Sequence, residues 1–489
     1  MLISVQNILG GQLSAISGQH LEIELPLSKS ESNRALMILH YAKSQSLRDA
    51  ETQSVMSDSD DTVLLRKHLD TLDKYLQGLL SVDGCPLTLD CHNAGTVFRF
   101  LMTAVANQCI MHNAQFIIDE ELSSKQLSNL VTQQLSILLT GSERMKNRPI
   151  DSLVEALRNL GVAIEYTEKE GYPPILLAVD AVNRQQTTDN RQQTLSTTLH
   201  STHSTLHSLE ISAEQSSQFA SSLLLASPLW KDGLELHLTG NLSSLPYIDM
   251  TINMMRQCGV DVVRNDRDIT VKPGRYNIEN IKVEPDWSAA AFWYEMVSLS
   301  DDAEVLLKNL NINSLQADTA AIKMFESLGV KTIAAEEGAV IKKANGQQSM
   351  VNGQQSTFNF QFSTFNFNFK DCPDLFPAVI AACAGNKVNA TFSGLKNLSI
   401  KESDRKQAMI NELMKINITF ENVSDDELKM FCPDELPYFT EENSIIFNNY
   451  EDHRIAMALS ILSMKIGAVL MENIEVVAKS YPGFFKLAV

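Results

Sequence analysis

A long apolar run is missing from this 489-residue chain. Crossing a bilayer as a helix takes about 20 apolar residues in succession, and no stretch comes near that, so no membrane span is expected. The start, MLISVQNILGGQ, has no basic segment followed by a long apolar one, so a secretory signal is not expected there. Cysteine is sparse: Cys85, Cys91, Cys109, Cys258, Cys372, Cys383 and Cys432 are odd in number, scattered and never spaced CxxC. This argues against a disulfide framework or a zinc ribbon and fits a reducing, cytoplasmic setting. Positive charge is in deficit, with 40 Lys and Arg against 59 Asp and Glu and a net charge of −19. Such a chain is unsuited to general nucleic-acid binding, and an anionic ligand would need a local cluster of cations. Walker loops, GxSxG elbows and HExxH are also absent, which removes the common kinase, hydrolase and zinc protease signatures.

What is present is a large apolar fraction, 44%, in a chain long enough for two or more domains. One signature recurs: LRNLGVAIEY (157–166), MRQCGVDVVR (255–264), FESLGVKTIA (325–334) and LMKINITFEN (413–422). Each reads as the end of an amphipathic helix, a Gly or Asn suited to a left-handed cap, and an alternating strand. The expected fold class is therefore α/β, built from internal repeats. Two polar, low-complexity stretches, 183–208 and 345–367, read as expanded surface loops without a core role, although STFNFQFSTFNFNF in the second alternates like a lengthened hairpin strand. His200, His203 and His207 have a helical metal-site spacing, but a Thr/Ser-rich repeat is a poor helix former, and no metal is assigned.

Polar clusters open several apolar helices: SKSESNRALMILHYA (28–42), NAGTVFRFLMTAVA (93–106), SSQFASSLLLASPL (216–229), DWSAAAFWYEMV (286–297), DCPDLFPAVIAACA (371–384) and DHRIAMALSILSM (452–464). A single Ser, Asp or Asn would be ordinary capping. Lys29, Arg34, Arg99 and Arg454, however, stand in first turns, where the helix dipole disfavours a cation. An anion lying between these cations and the backbone N–H groups resolves the conflict, so a phosphorylated or carboxylated small molecule is the expected ligand. RMKNRP (144–149) adds Arg144, Lys146 and Arg148, and AKSYPGFF adds Lys479. Asp374, and Glu402 in KESDRKQAM (401–409), are the carboxylates placed to move protons, with Lys29 or His453 able to share that role. Glu402 also precedes Lys406 by four residues, the order of an exposed helical ion pair, and Lys406 is expected to remain on the surface.

Taken in order, LSKSESNRA, NAGTVFR, RMKNRP, SSQF, LPYIDMT, EPDWSAA, DCPDL, KESDR, EDHRIAMA and AKSYPGFF resemble the motif series of the 5-enolpyruvylshikimate-3-phosphate synthase family, from about residue 5 to 487. The resemblance implies two similar domains, each of three βαβαββ-type repeats with parallel helices inside and sheets outside, and a site in the cleft between them. By analogy one domain covers 27–283, and the other combines 1–26 with 284–489. It further implies transfer of the enolpyruvyl group of phosphoenolpyruvate to the 5-hydroxyl of shikimate 3-phosphate, without metal or organic cofactor, by a chain expected to be a monomer.

Carried over motif by motif, the resemblance assigns shikimate 3-phosphate to Lys29, Ser30, Arg34, Ser216, Ser217, Gln218, Ser244, Tyr247, Asp374, Asn397 and Lys401. It assigns phosphoenolpyruvate to Lys29, Gly95, Thr96, Arg148, Gln218, Arg405, His453, Arg454 and Lys479. Asp374 would be the base for the hydroxyl, and Glu402, with Lys29 beside it, the proton carrier at C3. Leu27, Phe100 and Leu245 depart from the residues usual in the family, and the first two are expected to border the phosphoenolpyruvate side. The sister transferase acting on UDP-N-acetylglucosamine has Lys-Asn where this chain has Lys29-Ser30 and commonly carries a cysteine in the loop before Arg-Pro, which RMKNRP lacks. A noncatalytic anion-binding protein would have been suggested by loss of Asp374 or Glu402, and both are present. Deleting 185–206 should leave turnover nearly intact, and a dead deletion would contradict the surface-loop reading.

Overall fold

In a computed structural model of the chain, the described residues are 3–4, 20–44, 56–80, 85–118, 135–179, 207–212, 214, 216–242, 244–279, 281–344, 349–351, 354–356 and 365–485. Four four-stranded sheets share one plan. In the first, Leu87–Asp90 runs parallel to Leu135–Thr140, and the antiparallel hairpin Ala163–Tyr166 and Ile175–Val179 joins with its second strand beside Leu135–Thr140. The same spatial order (first, second, fourth, third) recurs in the sheets that begin with His207–Ser212, His20–Glu24 and Phe365–Asn368. A fifth sheet pairs Ile445–Phe447 with Val469–Met471 in parallel and closes with Ile3–Ser4 in antiparallel.

The repeated signature has a common physical basis. Gly161, Gly259, Gly329 and Asn417 all have positive φ, between 66° and 86°, which Gly and Asn tolerate best. Each ends a helical segment and launches a strand. In two of the units an arginine strengthens the turn: Arg158 donates to the Ile164 carbonyl at 2.7 Å, and Arg256 to the Val262 carbonyl at 2.7 Å.

The parallel strands are linked over helices that are apolar nearly all round, as full burial requires. Every residue of Phe376–Gly385 and His453–Ile461 is buried, and every residue of Trp287–Leu299 except Ser288. These three helices pack on one another, and so do Lys29–Ser44, Gly95–Ile118 and Ser217–Ala226. Each trio sits at the centre of its own apolar core, one built from residues between 35 and 278, the other from Ile23, Leu25 and residues between 287 and 484.

The chain passes between the cores twice at one place. Leu27 bridges Pro285, Ser28 N–H donates to the Glu284 carbonyl at 2.8 Å, and Asp286 N–H to the Pro26 carbonyl at 2.9 Å. Among the described residues no helix is long and apolar enough to cross a membrane.

Two sequence expectations need correction here. The stretch 345–367 ends in a strand, as its alternation suggested, but with a core role: Phe365–Asn368 pairs in parallel with Ala390–Ser393 and not as a hairpin, and Phe367 is buried and stacks on Phe392 with centroids 6.0 Å apart. Likewise the polar stretch 183–208 ends inside the strand His207–Ser212. His207 is thus a strand residue, and His200 and His203 lie outside the described residues.

Candidate active site

The helix starts meet where the two cores face each other, around a cavity of about 110 Å3. One side supplies Lys29, Ser30 and Arg34 from Lys29–Ser44, Gly95, Thr96 and Arg99 from Gly95–Ile118, and Ser216, Ser217 and Gln218 at Ser217–Ala226. The other supplies Asp374 before Phe376–Gly385, Arg405 at the first position of Arg405–Leu413, and Arg454 at the second of His453–Ile461. Seven cationic side chains line the cavity against the three carboxylates of Asp61, Asp374 and Glu402. Within a chain of net charge −19, this local excess makes an anion receptor.

Asp374 accepts from Arg405 Nη1 at 2.7 Å and Arg454 Nη2 at 3.0 Å, with Lys401 Nζ at 3.5 Å. Burial by itself would raise this carboxyl, but Arg454, Lys401 and Arg405 outweigh it and hold it well below the usual carboxylate range. Glu402 Oε2 lies 2.9 Å from His453 Nδ1, and Oε1 lies 3.4 Å from Lys479 Nζ. It too is held down, against burial, by His453, Lys479 and Lys29. His453 is fully buried, which lowers its own pKa despite Glu402 and favours a neutral ring. Lys29 Nζ sits 3.3 Å from Asp61, and although burial opposes its charge, Asp61 and Glu402 raise its pKa.

On the facing wall Gln218 is fixed at both ends of its amide: Oε1 accepts from Arg99 Nη1 at 2.7 Å, and Nε2 donates to Thr96 Oγ1 at 2.7 Å. A side chain at Gly95 would collide with the guanidinium groups of Arg148 and Arg99, so glycine lets both arginines close on the helix start. Arg34 donates to Thr251 Oγ1 at 2.6 Å, the Ser30 carbonyl at 2.8 Å and the Tyr247 carbonyl at 3.2 Å. Burial lowers its pKa to about 10, still a cation at neutral pH.

Of the assigned residues, all but His453 and Lys479 line the cavity; those two stand behind Glu402. Four expectations about neighbouring residues change. The helix begins at Arg405, capped by Asp404, so Glu402 belongs to a loop and does not pair with Lys406 along a helix. Lys406 is buried instead, with Nζ donating to the Ser424 carbonyl at 2.6 Å. Lys146 turns to Glu168 at 2.8 Å, away from the cleft. Leu27 lies in the crossing and Phe100 is buried, its ring 5.8 Å below the Arg34 guanidinium, so neither borders the cavity; Leu245 opens the helix Leu245–Gln257 outside it.

Sequence reasoning missed Asp61, which stands outside every motif, and did not single out Asp286, Asp318 or Asp452. Asp452 receives Arg405 Nε at 2.8 Å while its other oxygen caps the helix by accepting from Arg454 N–H at 3.0 Å. With Glu402 and His453 it forms the one metal-ligand-like group among the described residues. Its oxygens are already engaged, however, and Lys479 stands on Glu402, which makes a divalent cation a poor fit.

The family model described as EPSP synthase (3-phosphoshikimate 1-carboxyvinyltransferase) matches residues 13–487. The chain belongs to the EPSP synthase family. A 3-phosphoshikimate 1-carboxyvinyltransferase of Bacteroides fragilis (strain ATCC 25285) is 31% identical over 474 residues, covering 97% of this chain and 95% of the relative. One of Vibrio vulnificus (strain YJ016) is 28% identical over 487 residues, with 96% and 95% covered. A solved EPSP synthase structure from Acinetobacter baumannii superposes with a TM-score of 0.60 at 21% identity, covering 96% of this chain and 95% of that one. The fold is therefore the two-domain fold of the EPSP synthases, as expected from sequence.

Behind Arg454 lies Asp318, buried, accepting from Ser288 Oγ, with its other oxygen unpartnered among the described residues. Burial, reinforced by Asp374, pushes it up to about 7 even though Arg454 opposes the shift. Folding therefore raises its proton affinity, and stability is lost as pH climbs from the unfolded carboxyl's range near 4 to about 7. Asp318→Asn should accordingly gain most in denaturation midpoint above pH 7 and least near pH 4, and a pH-independent difference would contradict the assignment.

Proposed function

We propose that this member of the EPSP synthase family transfers the enolpyruvyl group of phosphoenolpyruvate to the 5-hydroxyl of shikimate 3-phosphate. Phosphate is released, and the product serves aromatic amino acid biosynthesis through chorismate, in the cytoplasm. The observation that carries the reading is one cleft holding an excess of cations around two ionised carboxylates, Asp374 and Glu402.

Both substrates are anions, and their assigned contacts divide the cleft. Shikimate 3-phosphate is placed against Lys29, Ser30, Arg34, the Ser216 to Gln218 turn, Ser244, Tyr247, Asn397 and Lys401. Phosphoenolpyruvate is placed against Gly95, Thr96, Arg148, Arg405 and Arg454, with Lys29 and Gln218 between the two and His453 and Lys479 behind.

Asp374 removes the 5-hydroxyl proton as that oxygen attacks C2, while C3 gains a proton supplied by the Lys29 ammonium through Glu402, which is itself ionised at rest. The tetrahedral adduct then expels phosphate, C3 returns its proton to Glu402 and so to Lys29, and the double bond is restored. Asp374 is too weak a base while Arg405, Arg454 and Lys401 all face it. The substrates' phosphate and carboxylate groups compete for those cations, so binding raises its basicity at the moment it is needed. The same cations stabilise charge on the departing phosphate.

We propose further that the chain acts as a monomer. We also propose the domain division 27–283 and 1–26 with 284–489, supported by the two cores and the paired crossing at Leu27 and Pro285.

Purified protein should release phosphate only when both substrates are present. Release from phosphoenolpyruvate alone, or with UDP-N-acetylglucosamine as acceptor, would overturn the reading. Asp374→Asn should keep shikimate 3-phosphate binding while kcat falls by about 100-fold or more; unchanged turnover would mean the base is another group.

A further inference from the structure

Residues 399–404 carry Lys401 and Glu402, yet they lie between the turn Lys396–Leu398 and the helix Arg405–Leu413 with no helix or strand of their own. Backbone carbonyls in such a segment need partners, and where those partners sit decides where the side chains point. Arg144 supplies three bonds from the opposite side of the cleft. Its Nη2 donates to the Ser399 carbonyl at 2.9 Å and the Lys401 carbonyl at 3.0 Å, and its Nε to the Glu402 carbonyl at 3.2 Å.

Arg144 is itself held in place. It lies in the short helix Glu143–Lys146, capped by Ser142 Oγ, which accepts from Met145 N–H at 3.3 Å, and anchored by Met145, which is fully buried. Although Arg144 shares RMKNRP with Arg148, it does not line the cavity, whereas Arg148 does. Its guanidinium therefore addresses peptide carbonyls, not a ligand. Two further bonds cross the cleft beside it, from Lys396 Nζ to Glu214 Oε1 at 2.7 Å and from Asn397 Nδ2 to the Glu214 carbonyl at 3.3 Å.

We propose that Arg144 is a positioning residue: by gripping the backbone of 399–402 across the cleft, it sets where Lys401 and Glu402 stand relative to Asp374 and His453. A planar fork of donors reaches three carbonyls at once, which an ammonium on a flexible stem does not reproduce. The proposal rests on the reading that Lys401 and Glu402 meet the substrates. It adds that the catalytic carboxylate is placed by the opposite half of the molecule, so Glu402 is aligned only when the halves are together.

The test uses the full chain with phosphoenolpyruvate and shikimate 3-phosphate. In Arg144→Gln, kcat should fall by about 100-fold, the scale of a misplacement of about 1 Å. Shikimate 3-phosphate affinity, measured by calorimetry, should fall by less than about tenfold, since most of its assigned contacts lie on Arg144's own side. In Arg144→Ala, guanidinium chloride at millimolar concentration should restore part of kcat, and methylammonium at the same concentration should not, because only the former presents the fork. Arg144→Lys keeps charge and bulk and should remain impaired, which provides the measurement where the alanine variant fails to fold. A kcat for Arg144→Gln within about threefold of wild type would overturn the proposal. So would a loss of affinity as large as the loss of kcat, or equal rescue by both cations. A wild-type chain that releases no phosphate with the two substrates would instead overturn the functional reading beneath it.

Discussion

Seven cationic side chains brought to one cleft repel one another, and the three carboxylates among them cannot neutralise them all. Most of the architecture around the site answers that constraint. Asp374 faces three cations, Asp452 fixes Arg405 from behind, and Arg34 is absorbed by two hydroxyls and two carbonyls. What remains unneutralised is what an anionic substrate completes. The apolar helix trios supply most of the stability against which the charge is held apart, and Gln218, bonded to Arg99 and Thr96, also ties two of the helix starts together.

The same constraint divides the two carboxylates by environment. Asp374 is surrounded by guanidinium and ammonium groups that an incoming anion can draw away. Glu402 rests against a buried imidazole and a lysine that reaches it from outside the cavity wall. One acid thus has a basicity that responds to occupancy, and the other sits in surroundings less exposed to the ligand. The roles proposed above for the two carboxylates rest on this difference of surroundings and not on any difference in side-chain chemistry.

Much of this was legible in the sequence because particular residue types are forced by geometry. The left-handed turns at Gly161, Gly259, Gly329 and Asn417 admit few other residues, so the repeat showed through divergent sequence. Lys29, Arg99 and Arg454 were conspicuous because they oppose a helix dipole. The misses share another cause, a partner remote in sequence. Lys406 looks exposed until the Ser424 carbonyl covers it, and Phe367 shows no core role in sequence until Phe392 stacks on it. Asp61 has no motif at all, and only the fold brings it to Lys29.

The strand pairings also set an order of events. His20–Glu24 lies parallel to Glu304–Lys308, and Ile3–Ser4 pairs with Val469–Met471. A ribosome therefore exposes the first strands long before their partners exist, and the residues of the first core emerge in between. If that core folds as it emerges, its two ends come together at Leu27 and Pro285 and shorten the path that the later pairing must close. Until then the early strands present open edges, a period in which a chaperone or a neighbouring chain could pair with them first.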